Sequence, residues 1–391
     1  MQVLNIKTKN IICLAAGAVF TAIFVMVPWA LAVSDAKLTV KPITFSVEPM
    51  SLLRSRDLKP QRSAPVIYND LIYIVSSRDK LVSLDLTGDR RSSLPMAFTP
   101  LGTPAIEQGR VFVGGYDGRF HCLDLATGKE IWSYDLKTID FSPAVIYGSN
   151  VIFQTASDRV MALDVETGAW RWEYQHLRID ELAVRGLARP ALRDGVAYIG
   201  LSSGFVAAMD ASTGRMIWKS RVFQGERFKD VDAPLQVDDT SVYAVSDAGA
   251  MAALGRKTGN VFWTYSSGGM AGCVLQGDTL YLATDEAELI ALNRITGKPA
   301  WTTRLLTGRA KLSFLNLPTA PSVVGPDIVT VSRDGQMFFV DKLSGKITAR
   351  RHYHTETASP AVPVPGGGVL FCDNKGMVRI WLRPVSITNQ P

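Results

Sequence analysis

The sequence predicts an all-β fold, an eight-bladed β-propeller of four-stranded antiparallel blades, and two repeated patterns carry this prediction. The first is the segment Leu123–Trp132, in which a Trp follows a Thr-Gly pair by four residues. The same spacing returns four times, at Thr167–Trp172, Thr213–Trp218, Thr258–Trp263 and Thr296–Trp301. Weaker copies at Thr87-Gly88 and Ser344-Gly345 carry Ser92 and Ala349 in place of the Trp. A period of about 40 to 45 residues is typical of propeller blades.

The second pattern is a short opening strand marked by Pro or Gly, and it sets the number of blades. It occurs eight times, beginning at Ala64, Thr103, Ser142, Arg189, Ala233, Ala271, Ala320 and Ser359. The eighth unit ends after Trp381 without a Thr-Gly turn, so its fourth strand has to come from elsewhere. Residues 38–45 alternate apolar and polar side chains and are predicted to pair with this last blade and close the ring. Seven blades is the alternative.

Each repeat can be explained physically from its turn. Asp-x-x-Thr-Gly between two apolar runs is a hairpin connection, because Gly accepts positive φ and the Asp or Thr oxygen can bond backbone N–H groups. The Trp then falls on one face of the outgoing strand, where a large ring can fill the seam between blades. We therefore interpret the repeat tryptophans as packing residues rather than as a ring stack for nucleic acid or a quinone. They are Trp132, Trp172, Trp218, Trp263 and Trp301.

The N-terminus has the features of a targeting segment. Lys7 and Lys9 precede an apolar run over residues 11–27, and Ala30-Leu31-Ala32 resembles a cleavage site. We assign residues 1–32 to a signal peptide or, alternatively, an uncleaved membrane anchor, residues 33–55 to a segment with the ring-closing strand, and residues 56–391 to the propeller. Either reading predicts a periplasmic location in a Gram-negative envelope. Cys13 follows two isoleucines and is a poor lipidation site.

Composition argues against several classes of function. The formal net charge of +6 is modest for 391 residues, and the basic residues are scattered, so no nucleic-acid partner is expected. Cys122, Cys273 and Cys372 are far apart in sequence and lack C-x-x-C spacing, which predicts buried free thiols rather than disulfides or a zinc site. His352-x-His354 provides two potential metal ligands, but no third ligand can be identified. We predict no catalytic residues, no metal and no cofactor.

Three connections between blades are long: residues 175–189, 223–233 and 307–320. All three occupy the same place in the repeat, so a propeller brings them to one face, where binding usually resides. The first contains Leu182-Ala183-Val184-Arg185 and the second contains Asp230-Val231-Asp232. Leu182 and Val184 are apolar residues beside Arg185 in a polar loop, as in an interface anchor. Alternatively, both are buried against the propeller and Arg185 pairs with Asp230 or Asp232.

These two loops, with the run Gly200–Gly204 between them, resemble the signature region of the BamB-type propellers of the outer-membrane β-barrel assembly machinery. The Thr-Gly-x-x-x-Trp repeats alone belong to the wider pyrroloquinoline-quinone-like superfamily. The resemblance extends over nearly all of the chain after residue 38. It implies a non-enzymatic scaffold in the periplasm that binds the periplasmic domains of the outer-membrane insertase. We expect a monomer, and unfolded outer-membrane proteins, which would add a strand to a sheet edge, are a further candidate class of partner.

The resemblance also assigns residues and alternatives. By position, Leu182, Val184 and Arg185 would be the main contacts, with Asp230 and Asp232 supporting or extending them. The chain departs from the family in lacking the lipidation cysteine and in carrying Val184 where Leu is expected. The remaining alternatives are a scaffold of another envelope complex and a quinone-dependent dehydrogenase. The latter is disfavoured because adjacent cysteines are absent and the chain is short for such enzymes.

Overall fold

A computed structural model describes residues 43–46, 64–76, 80–177, 188–224, 229–247, 249–306, 312–357, 359–374 and 377–381. All of these residues belong to one compact unit, Val40–Pro391. The secondary structure of this part is almost wholly strand, with two 3-10 turns at Ser202–Gly204 and Phe314–Asn316. No helix among the described residues is long and apolar enough to span a bilayer.

The strands form successive four-stranded groups along the chain. After β1 (Ile43–Ser46), blades 1 to 4 consist of β2 (Val66–Tyr68), β3 (Leu71–Ser76), β4 (Lys80–Asp85), β5 (Arg90–Pro95); β6 (Pro100–Glu107), β7 (Arg110–Gly115), β8 (Arg119–Asp124), β9 (Glu130–Asp135); β10 (Val145–Tyr147), β11 (Asn150–Gln154), β12 (Arg159–Asp164), β13 (Trp170–Gln175); and β14 (Ala191–Arg193), β15 (Val196–Gly200), β16 (Phe205–Asp210), β17 (Met216–Arg221). Blades 5 to 8 consist of β18 (Gln236–Val237), β19 (Ser241–Ser246), β20 (Ala250–Gly255), β21 (Val261–Tyr265); β22 (Cys273–Gln276), β23 (Thr279–Ala283), β24 (Glu288–Asn293), β25 (Pro299–Arg304); β26 (Ser322–Val324), β27 (Asp327–Val331), β28 (Gln336–Asp341), β29 (Ile347–His352); and β30 (Val362–Val364), β31 (Gly368–Cys372), β32 (Met377–Trp381).

The eighth blade is completed from the other end of the chain. Its sheet order is β1-β32-β31-β30, and β1 pairs antiparallel with β32 in the register Ile43↔Ile380 to Ser46↔Met377. Side chains of blades 1 and 8 share a hydrophobic cluster that includes Ile72, Leu84 and Leu370. The predicted eight-bladed ring and its closure by an N-terminal strand are confirmed, and the seven-bladed alternative is wrong.

The repeat turn has the geometry expected of its residues. In blade 2, Asp124 Oδ1 accepts hydrogen bonds from the backbone N–H and the hydroxyl of Thr127, at 2.7 and 2.6 Å. Gly128 then adopts φ 71°, which a residue with a side chain reaches only at a steric cost. These contacts reverse the chain between the third and fourth strands, and the following residues enter the fourth strand with a register shift that places one extra residue in it.

The repeat tryptophans contact the next blade along the chain. A Cβ on Gly168, in the turn of blade 3, would lie 2.6 Å from an indole carbon of Trp132, on the last strand of blade 2. The same Trp donates from Nε1 to the carbonyl of Val165 at 3.1 Å. Equivalent glycine contacts are made by Trp172, Trp218, Trp263 and Trp301. Each indole therefore needs a glycine opposite it, because any side chain there would overlap the ring. The Trp and Gly recur together in the sequence because they meet across every such seam.

The strand order defines two faces of the ring. Turns between the first and second strands and between the third and fourth strands lie on one side, which we call the turn face. Turns between the second and third strands, and the connections between blades, lie on the other, which we call the loop face. The three long connections all belong to the loop face, and their described portions form the candidate site.

Candidate functional site

The structure describes only some of the residues that the sequence singles out for binding. Leu182, Val184 and Arg185 lie outside the described residues, so their contacts remain predictions. Asp230 and Asp232 lie within the second long connection, after β17 of blade 4. Asp230 is buried at 3% exposure, whereas Asp232 is half-buried. Of the two, only Asp232 has a substantial accessible surface.

Asp230 ties its loop to the 3-10 turn between β15 and β16. Its Oδ1 accepts a hydrogen bond from the backbone N–H of Ser203 at 2.9 Å, and its carbonyl accepts one from Asp247 at 3.1 Å. Ser203 adopts φ 59°, a left-handed conformation that is uncommon for a residue with a side chain. The carboxylate thus holds a strained turn of blade 4 against a loop that leads into blade 5, which fixes the loop backbone.

Two glycines allow this loop to approach so closely. A Cβ on Gly200 would lie 2.2 Å from the carbonyl oxygen of Val231, and one on Gly204 would lie 2.2 Å from that of Phe223. Val231 and Phe223 are both buried, and Val231 donates its N–H to the carbonyl of Leu201 at 3.3 Å. The run Gly200–Gly204 is therefore a platform on which both ends of the second loop rest.

A second carboxylate joins the same platform to blade 3. Buried Asp158, in the turn between β11 and β12, accepts a hydrogen bond from the Ser202 hydroxyl at 2.5 Å. Gln154 donates from its side-chain amide to the Gly200 carbonyl at 3.2 Å and to Asp158 at 3.3 Å. Blades 3, 4 and 5 are thus linked on the loop face by buried polar contacts.

The start of the first long connection lies beside a cationic and aromatic group. His176 packs edge-on against Phe205, with ring centroids 5.0 Å apart, and donates its backbone N–H to the Asp158 carbonyl at 3.0 Å. Lys219 and Arg221 lie over the same Phe205 ring at 5.2 and 5.8 Å. Positive charge therefore borders the described start of the first long connection.

The third long connection ends in the second 3-10 turn, Phe314–Asn316. Here the backbone is fastened to blade 7: Asp334 donates its N–H to the Leu315 carbonyl at 2.6 Å, and Arg333 donates to the Leu317 carbonyl at 3.0 Å. Leu312, Phe314 and Leu315 nevertheless remain exposed. This connection carries a fixed apolar surface that the sequence analysis did not single out.

The remaining groups with ligand or nucleophile chemistry are a histidine pair, a histidine between two carboxylates, and the three propeller thiols. His352 and His354 have ring centroids 4.0 Å apart, but no group of three or more His, Cys, Asp or Glu residues is arranged to hold a metal ion among the described residues. His121 lies between Asp117 and Glu130, at 3.1 and 2.7 Å. Cys122 and Cys273 are buried and free, Cys372 is free and half-buried, and burial raises the pKa of each thiol to about 12.

Comparison with known proteins decides the family. The family model described as outer membrane protein assembly factor BamB matches residues 98–303 and 249–380, which together span well over half of the chain. The chain belongs to the BamB family. Relatives of that name include a protein of Shewanella oneidensis, 26% identical over 250 residues that make up 62% of this chain and 61% of the relative. The BamB of Nitrosomonas eutropha is 26% identical over 81% of this chain and 78% of its own length.

Solved structures agree on the fold. The crystal structure of BamB from Moraxella catarrhalis superposes with a TM-score of 0.74, at 22% identity, over 87% of this chain and 98% of that one. A quinohemoprotein alcohol dehydrogenase from Comamonas testosteroni has a TM-score of 0.66 at 13% identity, over 89% of this chain and 79% of the enzyme. At these identities both likenesses concern the propeller fold alone.

Sequence reasoning missed the buried supports of the BamB loop face. Asp158 could have been noticed because the turn after the second strand of blade 3 carries an Asp, as the corresponding turn of blade 2 does one repeat position earlier, at Asp117. The contact of Asp158 with Ser202 crosses 44 residues and has no local pattern. The burial of Asp230 likewise depends on two backbone approaches that only the folded ring brings together.

Proposed function

We propose that this protein is a non-enzymatic periplasmic scaffold of outer-membrane β-barrel protein assembly, and that its loop face binds the periplasmic domains of the insertase. The observation that carries the proposal is membership of the BamB family, whose name denotes an outer membrane protein assembly factor. The architecture of the loop face supports the finer part. Its second long connection is held by buried polar contacts, so an attached partner would meet a rigid surface.

The residues divide into two proposed roles. Leu182, Val184 and Arg185 are the proposed anchors that touch the insertase, because a pair of apolar side chains next to an arginine is a common hot-spot composition. Asp230 is a proposed positioning residue, since its carboxylate is buried and bonds the Ser203 N–H. Asp232 is half-buried and is proposed to extend the contact surface.

The test is affinity capture from detergent-solubilised envelope with tagged wild type and the Arg185→Glu variant. A matched control is Arg215→Glu, because Arg215 is exposed on the turn face of blade 4. We expect wild type and Arg215→Glu to recover the insertase and Arg185→Glu to recover much less, because a charge reversal at an interface anchor adds repulsion as well as removing contacts. Recovery of a different envelope complex by all three proteins would refute the proposed partner.

A further inference from the structure

We propose that His352 and His354 form a two-histidine chelate for a divalent transition-metal ion, with copper(II) as the tightest-binding metal. We call this pair the His-x-His site. β29 ends at His352, on the loop face of blade 7, where the connection to blade 8 begins. The inference goes beyond the proposed scaffold function and does not depend on it, because it concerns another blade and another class of ligand. It also revises the expectation of no metal, since the site needs no third ligand from the protein.

The structure brings the two imidazole rings into direct contact. Their centroids are 4.0 Å apart, and the ring planes are inclined by 40°. Both residues are exposed. Alternate residues of a regular strand are about 7 Å apart, so the rings are closer together than strand geometry alone requires. The cause is the backbone of His354, which adopts φ 50°, a left-handed conformation that is uncommon for a residue with a side chain and turns the chain just after the strand.

The surroundings of His352 determine which of its ring nitrogens can bind a metal. Its Nε2 lies 3.3 Å from the carbonyl oxygen of Asp334. A carbonyl oxygen only accepts, so Nε2 carries the hydrogen and Nδ1 keeps the lone pair. Metal-binding histidines commonly donate their second ring N–H to a carbonyl in this way, which fixes the orientation of the ring and raises its basicity. The ring of His354 makes no hydrogen bond to another described residue, so its lone pair is available as well.

The backbone that carries the His-x-His site is fastened to the turn between β27 and β28. Tyr353, between the two histidines, donates its N–H to the Gly335 carbonyl at 3.0 Å. A Cβ on Gly335 would lie 2.2 Å from the carbonyl oxygen of Thr355, so the two segments are in close contact. Thr357 then donates its N–H to the Arg333 carbonyl at 2.9 Å. The two histidines are therefore held near each other before any ion binds, and chelation costs little ordering of the backbone.

The ligand types select the class of metal. Imidazole nitrogen is a preferred ligand of copper, nickel and zinc, and copper(II) forms the most stable complexes of the three. Calcium and magnesium prefer several oxygen ligands, whereas the Asp334 carboxylate already accepts a hydrogen bond from the Gln336 side chain at 2.7 Å. Arg350 lies two residues before His352 on the same strand, and its positive charge further disfavours ions held by charge alone. The proposed complex takes its remaining ligands from water.

The test is titration of the purified full chain with copper(II), followed by calorimetry and by electron paramagnetic resonance. We expect copper(II) to bind at one site with the nitrogen splitting of two imidazoles, and nickel(II) and zinc(II) to bind there more weakly. The chain has four histidines, and the other two, His121 and His176, are buried at 2% and 3% exposure. The exposed pair is therefore the expected source of both nitrogens.

Single substitutions then test each half of the His-x-His site. His352→Asn and His354→Asn should each weaken copper(II) binding by at least about tenfold, because the second imidazole acts at a high effective concentration. Asn suits position 354 because it tolerates left-handed φ, so the melting temperature without metal should match that of wild type. The matched control is Arg350→Gln on the same strand, which keeps both imidazoles and should bind copper(II) at least as tightly as wild type.

Two results would overturn the proposal. One is wild-type affinity for copper(II) in the double variant of His352→Asn and His354→Asn. The other is a resonance spectrum with sulfur ligation, which would assign the ion to a thiol.

Discussion

At the scale of single residues, the fold depends on the pairing of one Trp with one Gly across each seam. Trp218 is buried, its Nε1 donates to the Arg256 carbonyl at 2.9 Å, and its ring covers Gly259 of the next blade. Trp170 lies at the start of β13 but is 53% exposed. Removing the Trp218 side chain would therefore leave a cavity in a blade seam, whereas removing that of Trp170 would leave a site already open to water.

Replacing Trp218 by Ala should lower the free energy of unfolding by roughly 3 to 5 kcal/mol, because it opens a cavity between blades 4 and 5. Chemical denaturation followed by circular dichroism measures this change. Trp170→Ala is the matched control and should cost much less, since its ring is largely in water already. Equal effects of the two substitutions would contradict the assigned packing role.

The turn aspartates should make stability depend on acid pH. The Arg171 guanidinium, together with bonds from Thr167, holds the pKa of Asp164 at about 2, below its ordinary value of 3.8. A carboxyl with a lowered pKa stabilises the fold above its ordinary value and loses that contribution as the pH falls through the lowered one. We therefore expect Asp164→Asn to reduce the loss of stability between about pH 4 and pH 2.

Asn is the appropriate replacement because the chain already uses it in blade 6. Asn293 accepts bonds from the N–H and the hydroxyl of Thr296 at 3.0 and 3.1 Å. The turn should therefore survive in Asp164→Asn, while its melting temperature at neutral pH should fall because the charge-assisted bond from Arg171 is lost. An unchanged acid limb in thermal melts from pH 5 to about pH 2 would show that Asp164 does not contribute to acid unfolding.

At the scale of structural elements, the second long connection depends on a close approach to Gly200. We expect Gly200→Ala to displace residues 229–233, because the new Cβ would meet the Val231 carbonyl oxygen at 2.2 Å. The displacement would break the bond between Asp230 and Ser203, so hydrogen exchange at the Ser203 amide should quicken. Exchange at the wild-type rate would show that the bond between Asp230 and Ser203 is retained and that the loop is not displaced.

The strand β1 is the other element with a separable role. Substituting Pro for both Thr44 and Phe45 removes two backbone donors from a four-residue strand. We expect faster hydrogen exchange at Val378 and Arg379, the residues that pair with them, and a greater tendency to associate through the opened edge of β32. Exchange mass spectrometry and light scattering measure the two effects. Unaltered protection of β32 would show that β1 is dispensable for closing the ring.

The sequence predicts those elements that depend on local or periodic patterns, and it fails where contacts are long-range. Turns, seams and the closing strand repeat or alternate, so their positions follow from the order of residues alone. Blade 5 shows the limit of prediction from the repeat, because Gly255 stands where other blades have the turn aspartate. The Phe262 ring lies over Gly255, and one ring carbon is 2.9 Å from the position that a Cβ on Gly255 would occupy. The loop supports and the exposed turn at Phe314 have no period, because each depends on the approach of separate blades.

At the scale of the whole molecule, the strand order of the ring places the loop face and the turn face on opposite sides. Hydrophobic clusters occupy all eight seams between neighbouring blades, including that between blades 8 and 1. Such a closed frame lets loops vary without loss of the core, which suits a scaffold. The proposed insertase contact uses the loop face near blades 3 to 5.

Site-specific photo-crosslinking in the envelope tests the central claim most directly. A photoreactive residue would replace Asp232 on the loop face and, in a second chain, Arg215 on the turn face of the same region. The account predicts that the probe at position 232 crosslinks to the periplasmic domains of the insertase and that the probe at position 215 does not. Crosslinking to the insertase from position 215 alone, or to an unrelated envelope protein from position 232, would contradict it.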